Sequence, residues 1–178
     1  PEHWEVKRLK NVCFINRNSL PETTNKDFKF KYVDIGSVSL EEGITEAEEF
    51  TFKNSPSRAR RIAKPGDTVI STVRTYLKAI DFVNEDTVVS DLCFAIYKPE
   101  VYLFGLISSR MHIVWLRTVS GRFRDGYRYS STLCYNSFVP PDLDEKKKSL
   151  IENCVFETLC ISRKYKEYPK NLKCHFLV

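Results

Sequence analysis

The sequence predicts an α+β fold: a mixed or antiparallel, β-rich body followed by a C-terminal helix. Three observations predict it. Runs rich in Val, Ile, Thr and Phe, punctuated by turn residues, fill the chain as far as Ile96. Apolar residues then recur at helical spacing from Val101 to Val119. A second helical pattern follows Pro140-Pro141 and opens on acidic residues. Strands first and helices afterwards, rather than strict alternation, mark the α+β class. A chain of 178 residues with 42% hydrophobic content suits one domain with an appended helix.

Trp4 to Phe14 carries apolar residues at Trp4, Val6, Leu9 and Val12 and suits a short strand or a single helical turn. Asn16 to Asp27, with Asn18, Pro21 and Asn25, reads as a loop. Phe28 to Ile35 alternates apolar and polar residues, the pattern of a half-buried strand, and Gly36-Ser37 break it. Phe50-Thr51-Phe52 marks a further strand after an acidic segment. Pro65-Gly66-Asp67 makes a turn, and Asp67 to Ile80 is rich enough in Val, Ile and Thr for one or two strands. Val83 to Ile96 reads as another pair, broken at Asn84-Glu85-Asp86.

Leu103, Leu106, Ile107, Met111, Val114, Trp115 and Leu116 predict one helix over Val101 to Val119, weakened by Gly105 and stopped by Gly121. Tyr127 to Phe138 reads as irregular or extended. Asp142 or Asp144 caps the last helix, which runs to about Tyr168 with Leu150, Ile151, Cys154, Val155, Leu159, Ile161 and Tyr165 on its apolar face. Lys146 to Lys148 at its start oppose the helix dipole, which a partner or a nearby nucleic acid would offset. Residues 1–141 are thus expected to form the body, and 142–178 the C-terminal helix and tail.

Net charge is +5, and its distribution is uneven. Glu41, Glu42, Glu46, Glu48 and Glu49 form an acidic block just ahead of a basic one. Arg58 to Lys78 carries Arg58, Arg60, Arg61, Lys64, Arg74 and Lys78 against the single acid Asp67. Arg117 to Arg128 repeats the chemistry with Arg117, Arg122, Arg124 and Arg128. Such asymmetry favours oriented docking on a polyanion. Arg58, Arg60, Arg61 and Lys64, next to a turn, are candidate phosphate contacts.

Arg74, Thr75, Tyr76 and Lys78 follow a β-rich run. Arg suits bidentate pairing with guanine, and Thr suits the thymine methyl. Arg122, Arg124, Arg128, Tyr129, Ser130 and Ser131 form a second candidate set, with Gly121 and Gly126 permitting a tight excursion of the chain. The whole points to a module that reads DNA.

Catalytic readings lack their parts. No GxSxG, HExxH or P-loop occurs, and Cys134 to Phe138 lacks the consecutive prolines of an amino-methyltransferase motif. Asp142, Asp144 and Glu145 suit helix capping better than a nuclease cluster. His3, His112 and His175 lie far apart, and none of the six cysteines forms a CxxC pair, so no metal is expected. The chain opens on no secretory signal and has no 18-residue apolar run, so the expectation is a cytoplasmic protein with reduced thiols that does not engage a membrane. The chain itself is expected to be no enzyme.

Four segments carry a family resemblance. PEHWEVKRL at the start, YVDIGSV at Tyr32 to Val38 and KPGDTVISTVR at Lys64 to Arg74 resemble a target recognition domain of a type I restriction-modification specificity (S) subunit. GRFRDGYRYSSTLCYNSFVPP at Gly121 to Pro141 is similar to specificity regions of type II methylase-nuclease fusions. The order of these motifs over residues 1 to 168 carries the resemblance; none is diagnostic alone.

The resemblance implies a domain that binds one half of a duplex DNA site. It also implies that the C-terminal helix packs against a second recognition domain or a second copy of the chain and docks on a methyltransferase (M) subunit, with a translocase-nuclease (R) subunit as a further candidate partner. S-adenosylmethionine would then belong to the methyltransferase, and this chain would hold no cofactor. One recognition unit instead of the usual two fits a fragment, a half-length subunit that dimerises, or the specificity end of a single-chain methylase-nuclease. The tail KEYPKNLKCHFLV departs from the family's helix continuation.

Overall fold

A computed structural model describes residues 7–39, 42–73, 79–97, 99–123, 126–139 and 143–162. Twelve strands among them run β1 Lys7–Arg8, β2 Phe14–Ile15, β3 Lys29–Val33, β4 Glu48–Thr51, β5 Ala59–Ala63, β6 Thr68–Ser71, β7 Ile80–Phe82, β8 Thr87–Ser90, β9 Cys93–Tyr97, β10 Arg122–Phe123, β11 Gly126–Tyr127 and β12 Phe138–Val139. The α-helices are α1 Val101–Ser108, α2 Arg110–Val119, α3 Ser131–Tyr135 and α4 Glu145–Ser162. Short 3-10 turns occupy Leu9–Asn11, Ile35–Ser37 and Phe52–Asn54.

Two four-stranded sheets, ordered β4-β3-β8-β5 and β2-β9-β6-β7, form the body. Every pairing in them is antiparallel except β3 with β8. Strand alternation sorts side chains into three cores. Val69 of β6, Val89 of β8, and Cys93 and Ala95 of β9 face the space between the sheets, with Val33 and Ala63. These are small side chains, so the two sheets approach closely.

Ile70, Phe94 and Ile96, one residue out of phase, face α1, α2 and α4 together with Phe82, Leu103, Phe104 and Leu116. Phe82 and Phe104 stack with ring centroids 4.3 Å apart. Tyr32 and Val88 face the other way, into a smaller cluster with Leu20 and Ala59.

The predicted turn at Pro65-Gly66 connects the two sheets. Gly66 has φ 92°, as the third residue of a Pro-Gly type II turn requires. Asp67 secures it by accepting from the Lys64 amide at 2.8 Å. The stretch from Asp67 to Ile80 holds β6 and the start of β7, as the Val, Ile and Thr content implies.

Several elements differ from expectation. The predicted helix over Val101 to Val119 is two helices. Ser109 adopts extended backbone (φ −67°, ψ 155°) between them. Its Oγ donates to the Leu106 carbonyl at 2.6 Å and accepts from the His112 amide at 3.2 Å, closing α1 and capping α2. Gly105 is instead a packing position within α1.

The segment Tyr127 to Phe138 contains α3, whose first turn is capped by Ser130. Arg58 to Lys64 is largely strand β5. In the predicted pair over Val83 to Ile96, the break that matters is Asp91-Leu92, where the chain passes from one sheet to the other between β8 and β9.

Helix α4 starts as predicted, with Asp144 Oδ1 accepting from the Lys147 amide at 2.8 Å. Ile151, Val155 and Leu159 turn to the body, whereas Leu150 and Cys154 are exposed. Local acids already offset the lysines: Lys147 pairs with Asp144 at 2.9 Å, and Lys148 with Glu145 at 3.2 Å and Glu100 at 3.5 Å. Tyr165 lies outside the described residues. Cys13, Cys93, Cys134 and Cys154 are free thiols, two of them buried. No helix among the described residues is long and apolar enough to cross a membrane.

Candidate nucleic-acid interface

The two arginine-bearing stretches meet through a relay of backbone hydrogen bonds. The Asp91 amide donates to the Arg58 carbonyl at 2.9 Å. The Thr72 amide donates to the Leu92 carbonyl at 2.9 Å, and the Tyr129 amide to the Thr72 carbonyl at 3.0 Å. Four segments separated in sequence, at Arg58, Asp91-Leu92, Thr72 and Arg128-Tyr129, therefore converge at one end of the sheets. Arg58 and Arg128 are exposed there.

Arg122 is also exposed, on the β10–β11 hairpin, where it pairs across from Tyr127. Ser120 Oγ donates to the Arg128 carbonyl at 2.6 Å and ties this hairpin to the end of α2. Arg117 is exposed in the last turn of α2.

A β-bulge decides where the β5 arginines point. Its register shifts between Ala59 and Arg61 against β8. An extra residue at a bulge re-aims the side chains around it. Arg60 lies over the Phe52 ring at 5.3 Å, on the side of the small outer cluster, and remains half-exposed.

Arg61 has the parity of Ala63 and turns inward. Its guanidinium donates to the Cys93 carbonyl and lies 5.5 Å from the centre of the Phe94 ring. Burial pulls its pKa down, and the nearby Asp91 opposes that. Arg61, partly exposed like Arg60, thus has its guanidinium engaged by a main-chain carbonyl and an aromatic ring.

Tyr129 departs from expectation. It is 1% exposed, its hydroxyl shares a 2.6 Å hydrogen bond with Ser137 Oγ, and its ring meets Phe94 edge-on at 5.6 Å. Burial pushes its pKa well above the ordinary value. A side chain so enclosed presents nothing to a groove.

Ser130 uses its Oγ to accept from the Leu133 amide at 3.3 Å, capping α3, while Ser131 is exposed. Lys64 is exposed, but it sits beyond the far end of β5 from Arg58, roughly 20 Å away along an extended strand. Arg74, Thr75, Tyr76, Lys78 and Arg124 lie outside the described residues. Thr72 and Val73, which lead into 74–78, belong to the converging end.

Asp91-Leu92 and Thr72, which join the two basic stretches, carried no basic or aromatic signal in the sequence. The one trace was the polar Ser90-Asp91 between the apolar runs VV and LCF. Behind the converging end, His112 is buried between α2 and the sheet, with ring contacts to Trp115 and Tyr129 and no partner at Nε2. Burial lowers its pKa to about 4. Among the described residues no group of three or more His, Cys, Asp or Glu side chains could hold a metal ion.

The architecture is that of restriction-modification specificity proteins. The HsdS subunit from Thermoanaerobacter tengcongensis superposes with a TM-score of 0.70 at 25% identity, over 92% of this chain and 44% of that one. A chain from the structure described as showing complex assembly and conformational transition of the type I R-M system superposes with a TM-score of 0.71 at 24% identity, over 92% of this chain and 45% of that one.

The family model for the MmeI target recognition domain matches residues 39–142, more than half of the chain. The chain belongs to that family and is a DNA sequence-specificity module of restriction-modification systems. DNA methyltransferase A of Bacillus subtilis (strain 168) is 39% identical over 90 residues, which are 51% of this chain and 10% of that protein. The chain thus spans a tenth of that relative's length and less than half of the two solved chains.

Proposed function

We propose that the end of the fold where Arg58, Thr72, Asp91-Leu92 and Arg128 converge binds one half of a duplex DNA site and delivers a DNA methyltransferase to it. The observation that carries this reading is the backbone relay that brings exposed arginines from two distant stretches to the same end of the sheets. Exposed Arg58, Arg122 and Arg128 supply phosphate contacts, and Ser131 adds a small hydroxyl beside them. Arg74, Thr75, Tyr76 and Lys78, which follow directly on the converging segment, are the base-reading candidates, with Arg124 beside the second arginine set.

The role is recognition rather than catalysis. S-adenosylmethionine and the reacting groups belong to the methyltransferase, and the setting is the cytoplasm. Helix α4, with exposed Leu150 and Cys154 on its outer side, is the surface for a second recognition domain, a second copy, or the methyltransferase and restriction subunits.

A second reading has an observation in its favour. The relative named DNA methyltransferase A is about ten times longer than the matched segment, which suits the specificity end of a single-chain methylase or methylase-nuclease.

Selection from a randomised duplex library tests the main reading. The chain should enrich one short sequence, and its affinity should fall steeply between 50 and 200 mM salt, by about 10³-fold or more if six or more phosphates are engaged. Arg74→Ala should relax preference at one base pair by about 1–3 kcal/mol. Equal loss on selected and random duplexes would reject base reading by Arg74, and no enrichment by the unmodified chain would reject the function itself.

A further inference from the structure

We propose that Arg61 is a positioning residue for sequence discrimination: it holds the Asp91-Leu92 turn, and through that turn it sets the spacing between the two DNA-facing arginine segments. This role rests on the functional reading above and goes further by assigning specificity to a half-buried residue whose guanidinium is held within the protein.

Arg61 sits on β5, paired with Val89 of β8, one residue past the bulge that separates it from Ala59. Its guanidinium reaches across to the Cys93 carbonyl at the start of β9 and lies against the Phe94 ring. Asp91 is near enough to oppose the effect of burial on that charge.

Three residues before Arg61 on the same strand segment, the Arg58 carbonyl receives the Asp91 amide. Arg58 and Arg61 therefore hold the two ends of the Asp91–Cys93 crossover, one by its carbonyl and the other by its guanidinium. The same crossover receives the Thr72 amide at Leu92, and Thr72 receives Tyr129. The crossover links two different sheets, and β8 and β9 are not paired with each other in either one. Strand pairing between β8 and β9 therefore does not hold it; main-chain bonds at Arg58 and Thr72 anchor its ends, and the Arg61 guanidinium adds a side-chain contact across it. Arginine suits this position because its planar fork can donate to a carbonyl while its face rests on an aromatic ring.

A small displacement of this crossover would move Thr72, and with it Arg128-Tyr129, relative to Arg58. Phosphate contacts tolerate such a shift, because flexible cationic side chains can follow. Base contacts do not, since bidentate pairing in a groove is geometrically strict.

The test uses the full chain, with Arg61→Met and Arg61→Lys beside the unmodified protein. The probes are the duplex enriched by the unmodified chain from a randomised library and a shuffled duplex of the same length and composition. Arg61→Met should lower the ratio of selected to shuffled affinity by about tenfold or more. Its affinity for the shuffled duplex and its salt slope should stay unchanged. Arg61→Lys, which keeps a charged donor but loses the planar face, should recover part of the ratio. If Arg61→Met is unfolded at the assay temperature, Arg61→Lys decides the matter by showing a reduced ratio at an unchanged slope.

A ratio equal to that of the unmodified protein overturns the proposal. So does a salt slope lowered by about one unit, because that would make Arg61 a direct phosphate contact. Failure of the unmodified chain to prefer any duplex is a different result and counts against the functional reading itself.

Discussion

Gly105 of α1 and Val155 of α4 meet at a separation that leaves no room for a side chain. A methyl group at Gly105 would stand 2.5 Å from Val155 Cγ2 and 3.1 Å from Ile151 Cγ2. Both neighbours are β-branched and stiff at χ1, so neither retreats easily. The glycine that lowers helical propensity in the sequence is therefore the position that lets the last helix dock.

Gly105→Ala should destabilise the chain by about 1–2 kcal/mol, the overpacking cost exceeding what alanine contributes to an isolated helix. Gly105→Ala combined with Val155→Ala should recover part of that loss relative to Val155→Ala alone. Urea unfolding of the three variants measures both quantities. An increase in stability for the single variant would show that α4 is not seated on Gly105.

Tyr129→Phe should cost about 1 kcal/mol of stability, the net value of its hydrogen bond to Ser137. Ser137 keeps its own donation to the Leu133 carbonyl at 3.0 Å, so no donor is stranded. Duplex affinity and its salt dependence should not change. A specific loss of DNA binding in a fully folded Tyr129→Phe protein would place the hydroxyl at the interface after all.

His112 should make stability depend on pH. Its folded pKa, about 4, lies below the ordinary 6.5 because burial disfavours the imidazolium. Between those values the unfolded chain binds a proton that the folded chain does not. The contribution is thus complete above pH 6.5 and is lost progressively as pH falls towards 4, to a total of about 3 kcal/mol. Denaturant unfolding of the unmodified chain and of His112→Gln from about pH 7.5 to about pH 4.5 isolates the effect. Parallel pH profiles for the two proteins would rule it out.

Arg60→Ala should weaken binding to all duplexes alike and lower the salt slope by about one unit. The guanidinium also rests on Phe52, so a stability loss of up to about 1 kcal/mol should accompany the change. Titrations at several salt concentrations separate the two effects. An unchanged slope removes Arg60 from the set of phosphate contacts.

The sequence was legible wherever one local rule acted alone. Alternation in FKFKYVDI gives β3, Pro-Gly-Asp gives the turn at Gly66, and Asp144 gives the start of α4. Strand β5 was hidden because its middle is Arg60-Arg61. Arginine reads as solvent-facing, yet here one guanidinium lies over Phe52 and the other over Phe94. Alternation alone sends neighbours to opposite faces; which of the two turns inward depends on a register shift against β8, a partner about thirty residues away in sequence, and no local pattern encodes it.

Ser109 was legible in principle as a cap, but the apolar spacing continues through it and masks the break. Tyr129 lies between Arg128 and Ser130, so its neighbours argued for the surface while a single buried ring filled the core. The two arginine stretches were visible as charge. Their meeting was not, because Thr72 and Asp91-Leu92 join them through main-chain groups that every residue type possesses.

The short pairing of β1 with β12, Lys7 opposite Val139 and Arg8 opposite Phe138, has a consequence for exchange between proteins. The strand that leads into the two sheets and the strand that leaves them lie side by side, so the sheets form a loop-like excursion whose ends meet at one seam, with α4 docked against it. Cutting at that seam and splicing in a homologous body that keeps the face on which α4 docks should leave the flanking path almost undisturbed. New binding preferences are then open to acquisition by cassette transfer in one step, without gradual remodelling of a surface.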